Sequence, residues 1–187
     1  MSNDSSAVDI WRKFHWTFFI HTQGLIIALG RFEMAVQEND LSAAKLELKT
    51  ASDLLRASGA SMELAGSYTR HEYENEVRPS MEIPKVSEDN FSGLMSWDHS
   101  SLIRLWKRLQ PVFHALPKEL KETHEDFIDA YRDLAASHRA VCKRFGGDQG
   151  GSLKNETSIA VDVLDRFEVN RESLLTSNRG CPVSHGG

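Results

Sequence analysis

Cysteine is scarce in this chain: only Cys142 and Cys181 occur among 187 residues. No disulfide framework can be built from so few, and a reducing, cytoplasmic setting suits them. Basic residues form no block either, since acids outnumber them 27 to 22 and the formal net charge is −5. That balance argues against phosphate-backbone binding, so nucleic acid is not expected as a partner. No long apolar run is free of polar residues. The longest candidate, Phe14 to Phe32, is broken by His15, His21, Gln23 and Arg31, and reads as a buried amphipathic helix, with no membrane span expected. The opening MSNDSSAVD is polar and acidic, unlike a secretory or transit leader. Internal repeats, sustained heptads and strand-like alternation are also missing, which leaves the helix as the main element.

What is present is a series of helical stripes. Between about residues 8 and 38, Trp11, Phe14, Phe18, His21, Leu25, Leu29, Phe32 and Val36 recur in steps of three and four, the signature of one buried helix face. That stripe includes His21 and turns its imidazole inward. A second helix is expected from Asp40 to about Ala60, with Leu41, Ala44, Leu48, Ala51 and Leu55 inside and Asp40 or Asn39 as N-cap. Residues 65–90 read as irregular, broken by Gly66, Pro79 and Pro84, with a short helical turn at His71–Val77. Extended backbone is expected at Arg78-Pro79, because a residue before proline avoids the α region. A third helix runs from about Ser96 to Leu109 and is interrupted at Pro111, with an apolar continuation to Leu116. Pro117 opens a fourth, Lys118 to Phe145, with the cleanest stripe: Leu120, His124, Phe127, Tyr131, Leu134, His138, Val141 and Phe145. Gly146-Gly147 ends it, and a last helix spans Thr157 to Leu175. The expected fold is an all-α bundle of four to five main helices, one domain over residues 1–176, followed by a tail at 177–187.

The fourth helix carries the chemistry. His138 and Cys142 stand one turn apart, so both project from the same face. A bundle with a carboxylate-bridged di-iron centre needs Glu-x-x-His on two helices, and no such spacing occurs here. Zinc wants three or four ligands. Beyond His138 and Cys142 the helix offers only His124, roughly 21 Å away along its axis and expected to be a core or bundle-end histidine. A mid-helix thiol lacks the activating base and oxyanion donors of a cysteine nucleophile. Haem fits better: it needs an apolar slot between helices, an axial imidazole and donors for its propionates. His138 would ligate the iron, and Cys142 would reach the porphyrin edge. Lys143 and Arg144, with the GGDQGGS loop that follows, offer positive charge and N–H groups to anions.

Four segments then resemble one family in its own order: Phe18-Phe19-Ile20-His21-Thr22-Gln23, Glu76-Val77-Arg78, Ser92-Gly93-Leu94-Met95-Ser96, and His138-Arg-Ala-Val-Cys142-Lys-Arg144-Phe-Gly-Gly147 with Gly150-Gly151-Ser152. They resemble the distal helix, carboxylate-binding segment, Ser-Gly loop and proximal-ligand helix of the tryptophan 2,3-dioxygenase superfamily of haem-dependent aromatic oxygenases. The His-x-x-x-Cys spacing is closest to its tyrosine and 3-methyltyrosine hydroxylating branch. The resemblance implies haem held by His138, with Cys142 as covalent attachment and Arg144 and Gly147 beside it. It implies His21 or His99 on the distal side, and Arg78, Gly150, Gly151, Ser152 and Trp16 around the substrate. It further implies hydroxylation of an aromatic amino acid with peroxide or dioxygen, with ring opening of an indole as the alternative. A non-catalytic haem carrier and a cofactor-free interaction protein also stay open. The chain is shorter than typical members, so a homo-oligomer, dimer or higher, is expected to complete the pocket.

Overall fold

A computed structural model describes residues 6–81, 96–146 and 159–176. Every regular element among them is helical: α1 (Ala7–Gln37), α2 (Leu41–Ala65), α3 (Arg70–Glu72), a π-helical turn (Tyr73–Val77), α4 (Arg78–Ser80), α5 (Trp97–His114), α6 (Lys118–Arg144) and α7 (Ala160–Leu175). No helix among the described residues is long and apolar enough to cross a membrane. The expected tail at 177–187, with Cys181, lies outside the described residues.

Helix ends follow local chemistry. The Ser6 hydroxyl accepts from the Asp9 N–H and opens α1; the Asp40 carboxylate accepts from the Ala43 N–H at 2.9 Å and opens α2. Asn39 sits between them at φ 58, the left-handed turn that reverses the chain. Thr69 and Glu72 form a reciprocal capping box, and Ser96 caps α5. Helix α6 stops at Phe145, followed by Gly146 at φ 82.

Three sequence expectations need correction. Helix α2 reaches Ala65, because Ser61 and Ala65 extend its buried face. Arg78 is helical, at φ −58 and ψ −47. Its N–H bonds to the Tyr73 carbonyl five residues back, so the turn before Pro79 is wider than an α turn. That width gives the proline ring room it lacks in a regular helix. Helix α5 also continues through Pro111 to His114; near a C-terminus proline forfeits one ladder bond, and packing of Phe113 against Phe32 holds the last turn in place.

Helices α1 and α2 form an antiparallel hairpin, α2 lies against α6, α5 against α1, and α7 covers α5 and α6. The core fills the middle and the end where α1 turns into α2. Leu29, Phe32, Leu48, Leu55, Leu109, Leu120, Phe127 and Leu175 are wholly buried there, with Trp106 set edge-on to Tyr131. Ion pairs set register: Arg56 joins Asp126 at 2.6 Å, Arg108 joins Glu33 at 2.8 Å, and Arg132 and Arg139 tie α7 down through Glu172, Asp165 and Glu168. Such half-exposed pairs contribute little stability each.

Cover fades toward the opposite end. On α1, Leu25, Leu29 and Phe32 are buried whereas Trp11, Phe14, Phe18 and His21 are half-buried; on α6, Leu120 to Tyr131 are buried whereas Leu134, His138 and Val141 are half-buried. The two stripes open together, and a cavity lies between them. Phe127→Ala removes a wholly buried ring from the closed part of the core. Its unfolding free energy is expected to fall by about 3–5 kcal/mol, measured as a lower denaturant midpoint with an unchanged slope.

Candidate functional site

The cavity measures about 150 Å³ and opens to solvent at the end where α1 and α5 begin and α2 and α6 finish. Phe14, His15 and Phe18 come from α1, Met62 and Ala65 from α2, and His99 from α5. Tyr131, Leu134, Ala135 and His138 come from α6, and Leu164, Phe167, Glu168 and Arg171 from α7. Helical spacing explains each group: Phe14 and Phe18, or Leu134 and His138, are one turn apart and share a face. Helix α7 is held as a cover by Arg139, which binds both Asp165 and Glu168.

Its polar groups are desolvated by the apolar walls. Burial, aided by the positive charge of Arg171, pushes His138 down to about 4. The same burial, then Arg171, then His138, pushes His99 down to about 4. Burial also lowers His15. Tyr131 is pushed up to about 12, chiefly by burial, and burial holds the Arg171 guanidinium below its usual value. At neutral pH the cavity therefore presents uncharged imidazoles, a protonated phenol and one guanidinium, with the carboxyl group of Glu168 in the same wall. An uncharged imidazole has one ring nitrogen with a lone pair for a metal or a proton. The Nε2 of His99 is buried with no hydrogen-bond partner among the described residues. No group of three or more His, Cys, Asp or Glu among the described residues could hold a bare metal ion.

Of the residues singled out from sequence, His99 and His138 meet here, facing each other across α5 and α6. His21 does not line the cavity, although its Nδ1 is buried with no hydrogen-bond partner among the described residues. Trp16 lies on the outer side of α1 and is 64% exposed. Cys142 is half-buried one turn beyond His138, outside the cavity lining and on the side of Tyr73. Burial raises the Tyr73 hydroxyl, Arg78 opposes that rise, and Cys142 adds to it. Exposed Arg144 lies 5.9 Å from the centre of the Phe145 ring, which stacks on Tyr73 at 4.5 Å. Arg78, Cys142 and Arg144 thus gather round a Tyr68-Tyr73-Phe145 stack beside the cavity. Trp11 packs against this stack and, on its other side, stacks on His15 at 4.9 Å. Gly147, Gly150, Gly151 and Ser152 lie outside the described residues.

Sequence reading missed His15, Glu168 and Arg171. His15 was legible as one turn from Trp11 on a wider stripe. Leu164, Glu168, Arg171 and Leu175 recur at four, three and four residues, a spacing that puts both charges on the inner face of α7. At the opposite end a larger, more polar hollow of about 890 Å³ surrounds His124, His114 and Arg132. Size does not make it the better site: its buried histidine, also pushed down to about 4 by burial, is stacked against Phe113 at 4.8 Å.

Protonation of the buried histidines at both ends should destabilise the fold. His99, His124 and His138 sit at about 4 when folded, against 6.5 when exposed. Between those values the unfolded chain binds protons that the folded chain does not, so stability rises with pH across that window and is lost as pH falls through it. Melting temperature is expected to be flat above 6.5 and to drop steadily toward 4, with His138→Gln flattening the drop; an unchanged profile in that variant rejects the assignment.

The SfmD 3-methyl-L-tyrosine peroxygenase family matches residues 1–123, which carry His15 and His99 and stop before His138. A 3-methyl-L-tyrosine peroxygenase from Streptomyces lavendulae is 29% identical over 172 residues, covering 90% of this chain and 47% of the relative. The chain thus spans about half the length of the curated relative it matches. No solved structure matches the chain. Because the family match takes in all of α1, α2 and α5, three of the helices that wall the cavity, the chain belongs to the SfmD 3-methyl-L-tyrosine peroxygenase family.

Proposed function

We propose that the chain is a haem-dependent oxygenase of an aromatic amino acid, hydroxylating its ring with peroxide. The observation that carries this reading is the meeting of His138, His99 and Arg171 in one apolar, aromatic-walled cavity of a chain in this family. The relative's name supplies the reaction class: a peroxygenase of 3-methyl-L-tyrosine. The wider kinship with tryptophan 2,3-dioxygenases and their His-x-x-x-Cys branch belongs to the same proposal.

The donor chemistry fits haem. His138 offers a neutral imidazole from a rigid helix between apolar walls, and it would hold the haem iron. The cavity of about 150 Å³ is open at its mouth and falls below the roughly 300 Å³ at the lower end of ligand pockets, so haem would need more room than the cavity alone gives. Cys142, one turn on and beside Tyr73, is the proposed thioether attachment. When bound, haem would supply the iron at which peroxide is activated. The chain's own residues do the rest. His99, the histidine that the cavity lining favours over His21, takes and returns a proton at Nε2. Tyr131 keeps its proton and can donate. Phe14, Phe18 and Phe167 would flank an aromatic ring, and α7 would cover one side of it.

A homo-oligomer is part of this proposal, supported by Trp16, Ile20, Ile27 and Met34, which lie exposed along one side of α1. The cytoplasmic setting and the closing role of Gly150, Gly151 and Ser152 also stand as proposals.

Expression with ample haem is expected to give a Soret band that His138→Ala loses. Cys142→Ala should keep the band but release its haem to acidified organic solvent; firm retention there rejects the thioether. His99→Ala should hold haem and lose about 10²- to 10⁴-fold in turnover with peroxide, the range of one general acid–base group.

A further inference from the structure

Arg171 is a half-buried cation with no ion-pair partner among the described residues. It lines the cavity, its guanidinium lies 4.8 Å from the centre of the Phe167 ring, it donates a hydrogen bond to the Tyr131 hydroxyl, and its charge reaches the imidazoles of His99 and His138. No carboxylate among the described residues forms an ion pair with it. The nearest candidate by spacing, Glu168, is three residues earlier on α7 and gives its Oε2 to Arg139 at 2.8 Å. Neutral His99 and His138 offer no negative charge to replace it. A guanidinium does not shed its proton, so Arg171 stays charged in an apolar wall at a cost that a carboxylate entering the cavity would offset. The other arginines of α6 and α7 that face acids are already paired: Arg132 with Glu172, and Arg139 with Asp165.

We propose that Arg171 anchors the carboxylate of the amino-acid substrate in a two-pronged hydrogen bond, with Glu168 one turn away receiving its ammonium. This rests on the functional reading above and assigns the head-group site to α7 and away from Arg78, which is exposed beside Tyr73. The planar fork of arginine matches a carboxylate in a way lysine cannot. The spacing also suits a zwitterion. Glu168 and Arg171 share the inner face of one helix, and Glu168 has its Oε1 left over after Arg139 is bound. The substrate's ring then points toward Phe14 and Phe18, between His99 and His138.

A carboxylate in this cavity has two sources, an amino acid or a haem propionate, and titration calorimetry separates them. The chain as isolated from haem-supplemented cells is titrated with 3-methyl-L-tyrosine, with L-tyrosine and with L-tyrosine carboxamide, in wild type, Arg171→Lys and Arg171→Gln. Wild type is expected to bind the amino acids about 10- to 100-fold more tightly than the amide, the scale of a lost hydrogen bond to a charged group. Arg171→Gln should erase that preference while leaving amide binding intact, and Arg171→Lys should restore only part of it. The amide comparison within wild type needs no variant to fold. If Arg171→Gln keeps the full preference, the assignment is wrong while the aromatic amino-acid reading survives. If the variant instead loses haem from its Soret band with the preference unchanged, the propionate is the partner and the substrate assignment is equally overturned. If wild type binds none of the three ligands, the substrate class itself falls, and this proposal with it.

Discussion

Desolvation at one end of the bundle is the constraint on which the site depends. Imidazoles, a phenol and a guanidinium are set among phenylalanines and leucines, where charge is costly. The imidazoles answer by staying neutral, with His99 and His138 both pushed down to about 4. Arg171 cannot answer that way. Its charge is tolerated beside the Phe167 ring and the Tyr131 hydroxyl, and the arrangement favours an incoming anion. The cavity thus combines neutral imidazoles with one cation that has no ion-pair partner among the described residues.

That environment lasts only while α7 stays in place. Leu175 is the one buried residue of α7, so the helix's own apolar face is a modest anchor. Arg132 and Arg139 compensate by gripping three acids of α7 from α6. Single half-exposed pairs are weak, but here they fix rotation: they hold Leu164, Phe167 and Arg171 inward. Glu168 serves both purposes, since one oxygen fixes the helix and its side chain also lines the cavity.

Comparison of the two ends shows why a shifted histidine is no marker by itself. His124 and His138 lie on the same helix with pKa values near 4 for the same reason. The imidazole of His124 is stacked on Phe113 in a closed core; that of His138 faces open space beside two other imidazoles. Burial sets the shift, whereas room and neighbours decide whether the nitrogen can be used. The stack of Tyr68, Tyr73 and Phe145 adds a third environment, in which Cys142 and Arg78 are held near the cavity without entering its lining.

Much of this was legible in the chain. Steps of three and four along residues 8–38 and 118–145 specify helices because a buried face must recur with the helical period, and the observed α1 and α6 agree within a residue or two. His138 was visible as a histidine on the cleanest of those faces. Helix length near proline was less legible, since local preference at Arg78 and Pro111 yields to a widened turn and to the Phe32–Phe113 contact, neither of which the local residue types reveal. Periodicity also cannot tell which residues of a face meet a neighbour and which meet a cavity. His21 and His15 are both on α1, yet only the crossing of α1 with α5, α6 and α7 puts His15 at the cavity and leaves His21 outside it. The sequence alone therefore determined the helices and their inner faces, because those follow from spacing along one chain. Only the tertiary structure decided the neighbours of His138 and the turning of Arg171's charge into the cavity, because both depend on the angles at which separate helices pack.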